Sequence, residues 1–212
     1  MDFEKLLVEE LMRVHGAHTV LLYGSRARGD DTPESDVDVT VFADVPEVIR
    51  DARVWRELML DVFVQPTESA GRAEIEQLKL VGARVLLDAR GLGAPLLLRL
   101  EALEKAGPAP LAETEARMRC VWARKMMMRV GRGDLEANYR RVWLLYQLLE
   151  DHFALAGRWY RGPKQAFVEL EREAPSLHAA FARALAPGAP HLALVELVDQ
   201  VVRSHEKFGS PD

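Results

Sequence analysis

The chain has 212 residues, 49% of them hydrophobic, with a single cysteine, Cys120, and a net charge of −5. This suits one large or two small globular domains, and one cysteine excludes an intramolecular disulfide and a cysteine zinc site. The acidic balance argues against a nucleic-acid-tracking surface, and no apolar run approaches the roughly 20 residues of a membrane span.

Phe3, Leu6, Leu7, Leu11 and Val14 recur at helical spacing and predict an amphipathic helix over 2–15, ended by Gly16. The acidic start M-D-F-E-K-L-L-V-E-E lacks the apolar centre of a signal peptide, so a cytoplasmic location is expected. Thr19 to Tyr23 reads as a buried strand, and Gly24-Ser25 as the turn into a short helix ending near Gly29. After the loop Asp31-Thr32-Pro33-Glu34, an alternating strand runs from Asp36 to Phe42. A helical segment is expected over about 46–53, then a strand over 57–65 stopped by Pro66. A helix near 73–81, a short strand over 84–87 and a leucine-rich helix over 95–105 complete this half.

Gly107-Pro108-Ala109-Pro110 breaks the pattern and divides the chain into domains 1–107 and 108–212. Beyond it five helical segments fit, at about 112–130, 134–156, 163–173, 176–185 and 190–207. The apolar stripe Leu135, Val142, Leu145, Leu149 and Phe153 predicts a helical bundle. The fold class is therefore α+β: a small mixed β-sheet flanked by helices, followed by an all-α bundle. Charge divides unevenly, with net −7 over residues 1–107 and net +2 over 108–212. Arg117 to Lys164 holds 11 basic and 4 acidic residues, which suits either a solvated helical face or a phosphate-facing one.

The segment L-L-Y-G-S-R-A-R-G-D-D-T-P-E-S-D-V-D-V-T-V-F carries the chemistry. Residues i and i+2 of a strand share a face, so Asp36 and Asp38 point to one side. Two carboxylates so placed repel unless a cation lies between them, and hard oxygen ligands suit Mg²⁺. A small-residue turn can present backbone N–H groups and the Ser25 hydroxyl to phosphate, and Gly24 permits close backbone approach. Downstream, Asp44, Asp51, Glu57 and Asp61 could each supply a third carboxylate. Asp61 is preferred because it interrupts L-M-L-D-V-F-V, where an unpaired charge is costly.

This pattern resembles the signature of the DNA polymerase β-like nucleotidyltransferase superfamily, over about residues 19–66. The resemblance implies a nucleotidyltransferase catalytic domain in the first half. It implies two Mg²⁺ ions on Asp36, Asp38 and Asp61, with Asp38 bridging them, and ATP or another nucleoside triphosphate as donor. Gly24, Ser25 and one of Arg26 and Arg28, with Arg28 favoured by the family pattern, are expected at the triphosphate. The C-terminal segments G-R-G-D-L-E-A-N-Y-R-R-V-W and R-W-Y-R-G-P-K-Q-A-F resemble the helical regions of small-molecule, aminoglycoside- and lincosamide-type nucleotidyltransferases. On that resemblance Lys164 is a candidate contact to triphosphate or acceptor, against the plainer reading of a solvated lysine. Trp159 and Tyr160 suit base stacking or interhelical packing. The implied reaction transfers a nucleoside monophosphate, AMP first, to a hydroxyl of a small acceptor. The alternatives are a non-catalytic, antitoxin-type interaction module and AMP transfer to protein or RNA. Leucine-rich faces at 94–105 and 190–202 are compatible with a homodimer or with packing within the chain.

Overall fold

A computed structural model describes residues 3–206, which fall into two compact units meeting in sequence at Ala106 and Gly107. The first unit is built on a five-stranded mixed sheet. In chain order it contains α1 (Phe3–His15), β1 (Thr19–Tyr23), α2 (Ser25–Arg28), β2 (Val37–Ala43), β3 (Ile49–Trp55), β4 (Leu58–Pro66), β5 (Arg84–Asp88) and α3 (Gly93–Ala106). The strand order is β3-β4-β2-β1-β5, with β2 and β4 parallel and every other neighbouring pair antiparallel.

Alternation along the strands gives the sheet two unlike faces. Val20, Leu22, Val37, Val39, Val41, Leu60, Val62 and Val64 form one face and pack with Leu7 and Leu11 of α1. Leu21, Tyr23 and Phe42 point to the other, where they meet Leu80 and the α3 residues Leu96 and Leu100. The odd-numbered residues of β2 are thus committed to the α1 core, which leaves Asp38 on the α3 side. Asp88 fixes the start of α3 by accepting the N–H groups of Leu92 (2.8 Å) and Gly93 (3.0 Å). This capping satisfies donors that have no partner within the helix.

Two expected helices are absent. In place of the helical segment over 46–53 the chain forms β3, which pairs antiparallel with β4 from Ile49↔Val64 to Trp55↔Leu58. The connection is the two-residue turn Arg56-Glu57, with φ of 49° and 67°. That is the left-handed pair a tight hairpin demands, normally supplied by Asn-Gly or Asp-Gly. In place of the helix near 73–81 there are two 3₁₀ helices, Thr67–Gly71 and Ile75–Leu80. Glu74 and Gln77 form a reciprocal capping box that starts the second, and both runs are short, as is usual for 3₁₀ helices.

The second unit contains α4 (Glu113–Val130), α5 (Leu135–Leu155), α6 (Pro163–Glu173), α7 (Pro175–Leu185) and α8 (His191–Glu206). Its core gathers Cys120, Met126, Leu144, Leu148, Phe153, Phe181 and Leu197. The stripe expected on α5 divides: Leu145, Leu149 and Phe153 are buried, whereas Leu135 and Val142 are 87% and 70% exposed. The buried face of α5 is instead completed by Ala137, Leu144 and Leu148. A cavity of about 1050 Å³ opens beside α4 and the end of α5, lined by Ala116, Cys120, Val121, Met128, Leu155 and Gly157 among others. No described helix is long and apolar enough to cross a membrane.

The hairpin turn offers a direct test. Replacing Arg56-Glu57 by Asn-Gly removes left-handed strain of about 1 kcal/mol. Hydrogen exchange of the β3 and β4 amides should slow about fivefold, the factor that such a free energy represents. Faster exchange would show that the turn is not the tight hairpin described.

Candidate functional site

Asp38 and Asp61 stand directly opposite each other across the parallel β2–β4 pair. Adjacent strands lie about 4.8 Å apart, so the two carboxylates share one small patch of the α3-side face. Tyr23, the last residue of β1, is the antiparallel partner of Asp38 on the other side. The chain turns immediately afterwards at Gly24, which places the Gly24-Ser25 turn beside Asp38.

That proximity sets the residue type at position 24. Gly24 has φ +75°, and a Cβ there would lie 2.4 Å from Oδ2 of Asp38. Any larger residue meets both left-handed strain and the carboxylate. From Ser25 the chain makes the single helical turn of α2, closed by the N–H of Gly29 donating to the Ser25 carbonyl at 2.9 Å.

The arginines of α2 divide their work. Arg26 donates to the Ser35 carbonyl (2.8 Å from Nη2) and the Asp36 carbonyl (3.2 Å from Nε), and pairs with Asp31 at 3.4 Å. It therefore ties the 31–36 loop back to the turn. Arg28 pairs with Asp30 at 3.3 Å, and its charge helps to hold the Asp38 carboxylate ionised.

Asp36 is exposed and lies one residue before β2, rather than inside a strand beginning at Asp36. Of the four downstream acids, Asp61 alone faces Asp38. Asp44 lies beyond the far end of β2, held by Arg90 and, at 2.8 Å, by the Thr67 hydroxyl. Asp51 pairs with His15 of α1 (2.9 Å) and with Arg53 (3.0 Å). Glu57 occupies the hairpin turn. Lys164 is exposed as the second residue of α6, and Tyr160 packs against the core of the helical unit with its ring 6.1 Å from that of Phe153.

Two cations that the sequence reading passed over complete the patch. Arg50 on β3 donates to both oxygens of Asp61, from Nε at 3.1 Å and Nη2 at 2.9 Å. Lys79, on the second 3₁₀ helix, holds its ammonium 3.4 Å from the centre of the Phe63 ring and 5.2 Å from that of Tyr23. Reading 46–53 as helix hid Arg50, because only a strand paired with β4 carries it to Asp61. Lys79 was masked by the helix assigned to its segment.

The electrostatics follow from this crowding. Burial, and then the neighbouring charges of Asp36 and Asp61, push the Asp38 carboxyl above its ordinary value of 3.8. Burial also pulls the Lys79 ammonium down, while Asp61 and Asp38 oppose that fall. Tyr23 is pushed up, by burial first and by Asp38 and Asp61 after it. Hard oxygen donors under mutual repulsion are the chemistry a divalent cation relieves, so the donor set suits Mg²⁺. Among the described residues no three His, Cys, Asp or Glu side chains converge as a metal-holding group as they stand. The local reason is that Asp61 is turned to Arg50 and Asp36 stands off the strand.

Residues 5–88 match the family described as nucleotidyltransferase domain. The first unit is a nucleotidyltransferase domain of the polymerase β-like superfamily. Among solved structures the chain resembles a nucleotidyltransferase-like protein from Exiguobacterium sibiricum 255-15, at 13% identity and a TM-score of 0.44. The match covers 94% of this chain and 73% of that one. No curated protein matches the chain in sequence.

Two measurements check this geometry. The folded-state pKa of Asp38 lies above its unfolded value, so the protonated form favours folding and that contribution is lost as pH rises through the raised value. In EDTA at neutral pH, Asp38→Asn should therefore raise the melting temperature, and the gain should shrink as pH falls toward about 4. Gly24→Ala should destabilise by about 1–3 kcal/mol. Adding Asp38→Ala should recover part of that loss, because it removes the oxygen that the new methyl group meets; strictly additive effects would refute the contact.

Proposed function

We propose that the chain transfers a nucleoside monophosphate, AMP first, from a nucleoside triphosphate to a hydroxyl of a small acceptor and releases pyrophosphate. The observation that carries this reading is the opposition of Asp38 and Asp61 across β2 and β4, beside a turn whose glycine is required by Asp38 itself. In the reaction the acceptor oxygen forms a bond to the α-phosphorus as the bond from that phosphorus to the pyrophosphate oxygen breaks. The hydroxyl proton passes to the Asp61 carboxylate. Asp36, Asp38 and Asp61 would hold two Mg²⁺ ions, which when bound lower the acceptor's pKa and neutralise charge on the phosphates.

The chain's own residues supply placement, which is most of what phosphoryl and nucleotidyl transfer require. Gly24 lets the backbone approach the phosphates, and the Ser25 hydroxyl donates to a non-bridging oxygen. Arg28, half-exposed at the end of α2, exchanges its Asp30 contact for the triphosphate. Arg26 acts on substrate only through the loop it ties down.

The test is incubation of the purified chain with Mg²⁺, ATP and a panel of hydroxylated small molecules, a protein mixture and tRNA, read by mass spectrometry. A product heavier than a small acceptor by one AMP is expected. Asp38→Asn should lower its rate by roughly 10²–10³-fold or more, as loss of a charge-stabilising group in an active site does. Labelling of protein or tRNA instead would move the acceptor class, and an unchanged rate in Asp38→Asn would remove the site assignment.

A further inference from the structure

Asp61, one of the carboxylates assigned above to metal, already carries a cation of this chain. Arg50 reaches across from the edge strand β3 and covers both oxygens of Asp61, with its guanidinium 5.2 Å from the centre of the Phe63 ring. Lys79 approaches from the second 3₁₀ helix on the same face, above Phe63 and Tyr23. Arg50 has little structural work to do: its side chain is 62% exposed, and an ion pair so wet adds little to the stability of the fold.

A divalent cation arriving alone must push the guanidinium off Asp61 into water, with nothing to receive it. A triphosphate is what the freed groups would bind: planar guanidinium forks match phosphate oxygens, and lysine supplies a point charge. Arg50 then has two alternative partners, Asp61 and phosphate, and the triphosphate decides between them.

We infer that Arg50 and Lys79 are internal counter-ions that couple triphosphate to divalent metal: the triphosphate draws Arg50 off Asp61 and draws the Lys79 charge from beside the two carboxylates, and thereby opens them to the ion. This rests on the nucleotidyl-transfer reading. The coupling is reciprocal, so metal on the carboxylates also releases the two cations toward phosphate. Arg50 is a positioning residue in the free protein and a substrate contact in the loaded one.

Two binding measurements on the full chain, each without the other ligand, separate this from a structural role. Mn²⁺ binding is measured by electron paramagnetic resonance in the absence of nucleotide. Binding of α,β-methylene ATP is measured by calorimetry in EDTA. Arg50→Gln should tighten Mn²⁺ about fivefold to tenfold and weaken the analogue by a similar factor, the usual scale of coupling between sites. Lys79→Gln should move both affinities in the same directions, and Arg50→Lys should fall between wild type and Arg50→Gln. A residue serving only the fold would weaken both ligands together. Unchanged or weaker Mn²⁺ binding in Arg50→Gln, or undiminished analogue binding, overturns the inference and leaves the transfer reading standing. If the wild-type chain binds neither Mn²⁺ nor the analogue, and Asp38→Asn changes nothing, both readings fall. Thermal melting of each variant checks that the exposed Arg50 position tolerates the change.

Discussion

Two carboxylates facing each other across hydrogen-bonded strands are unfavourable in a folded protein without compensation, and the first unit is arranged around that opposition. Asp38 and Asp61 cannot rotate to the other face, because the flanking Val37, Val39, Leu60 and Val62 are fully buried against the α1 side. Register is therefore held by apolar packing, and a slip of one residue would drive Asp61 into that core. The charge is balanced locally by Arg50, by Lys79 and by the more distant Arg28. Gly24 belongs to the same constraint, since the space its side chain would fill is occupied by an Asp38 oxygen.

Topology accounts for how these residues meet. The chain leaves β2, runs out to the sheet edge as β3, and returns through a two-residue turn as β4, which inserts between β3 and β2. Because β3 is antiparallel to β4, the return strand lies parallel to β2 and brings Asp61 level with Asp38. The same excursion carries Arg50 to within hydrogen-bonding distance of Asp61. One hairpin thus delivers both an acid and the cation that covers it.

The sequence was readable where local chemistry and tertiary context agreed. Alternation in D-V-D-V-T-V-F located β2 to within a residue, and L-M-L-D-V-F-V located β4 with Asp61 on the same face as Met59 and Phe63. Asp36 was less legible, because the loop tied by Arg26 ends just before the first ladder residue. β3 was hidden for two reasons. Its turn uses Arg-Glu where the backbone favours Asn-Gly, and none of its residues I-R-D-A-R-V-W is buried, as suits an edge strand rather than a core element. On α5 the predicted stripe shares one face, but only its later part is covered: Leu145, Leu149 and Phe153 are buried, whereas Leu135 and Val142 at its start are exposed, a difference that periodicity alone does not carry.

Charge counted along the chain also misleads about where positive potential is available. The basic stretch from Arg117 to Lys164 suits either a solvated helical face or a phosphate-facing one. Yet Arg119 is held by Asp151 and Glu115, Arg140 by Glu136 and Arg158 by Glu169 and Glu173. Asp151, only 2% exposed, makes the Arg119 pair part of the helical core rather than a free surface cation. In the strongly acidic first half, by contrast, Arg50 and Lys79 lie beside the very carboxylates that a metal would occupy. An arginine committed to a buried carboxylate costs much to recruit, whereas one 62% exposed on an edge strand can change partners at small cost. On the nucleotidyl-transfer reading, Arg50 is therefore the cation placed to change partners, because its carboxylate is one that a metal would take.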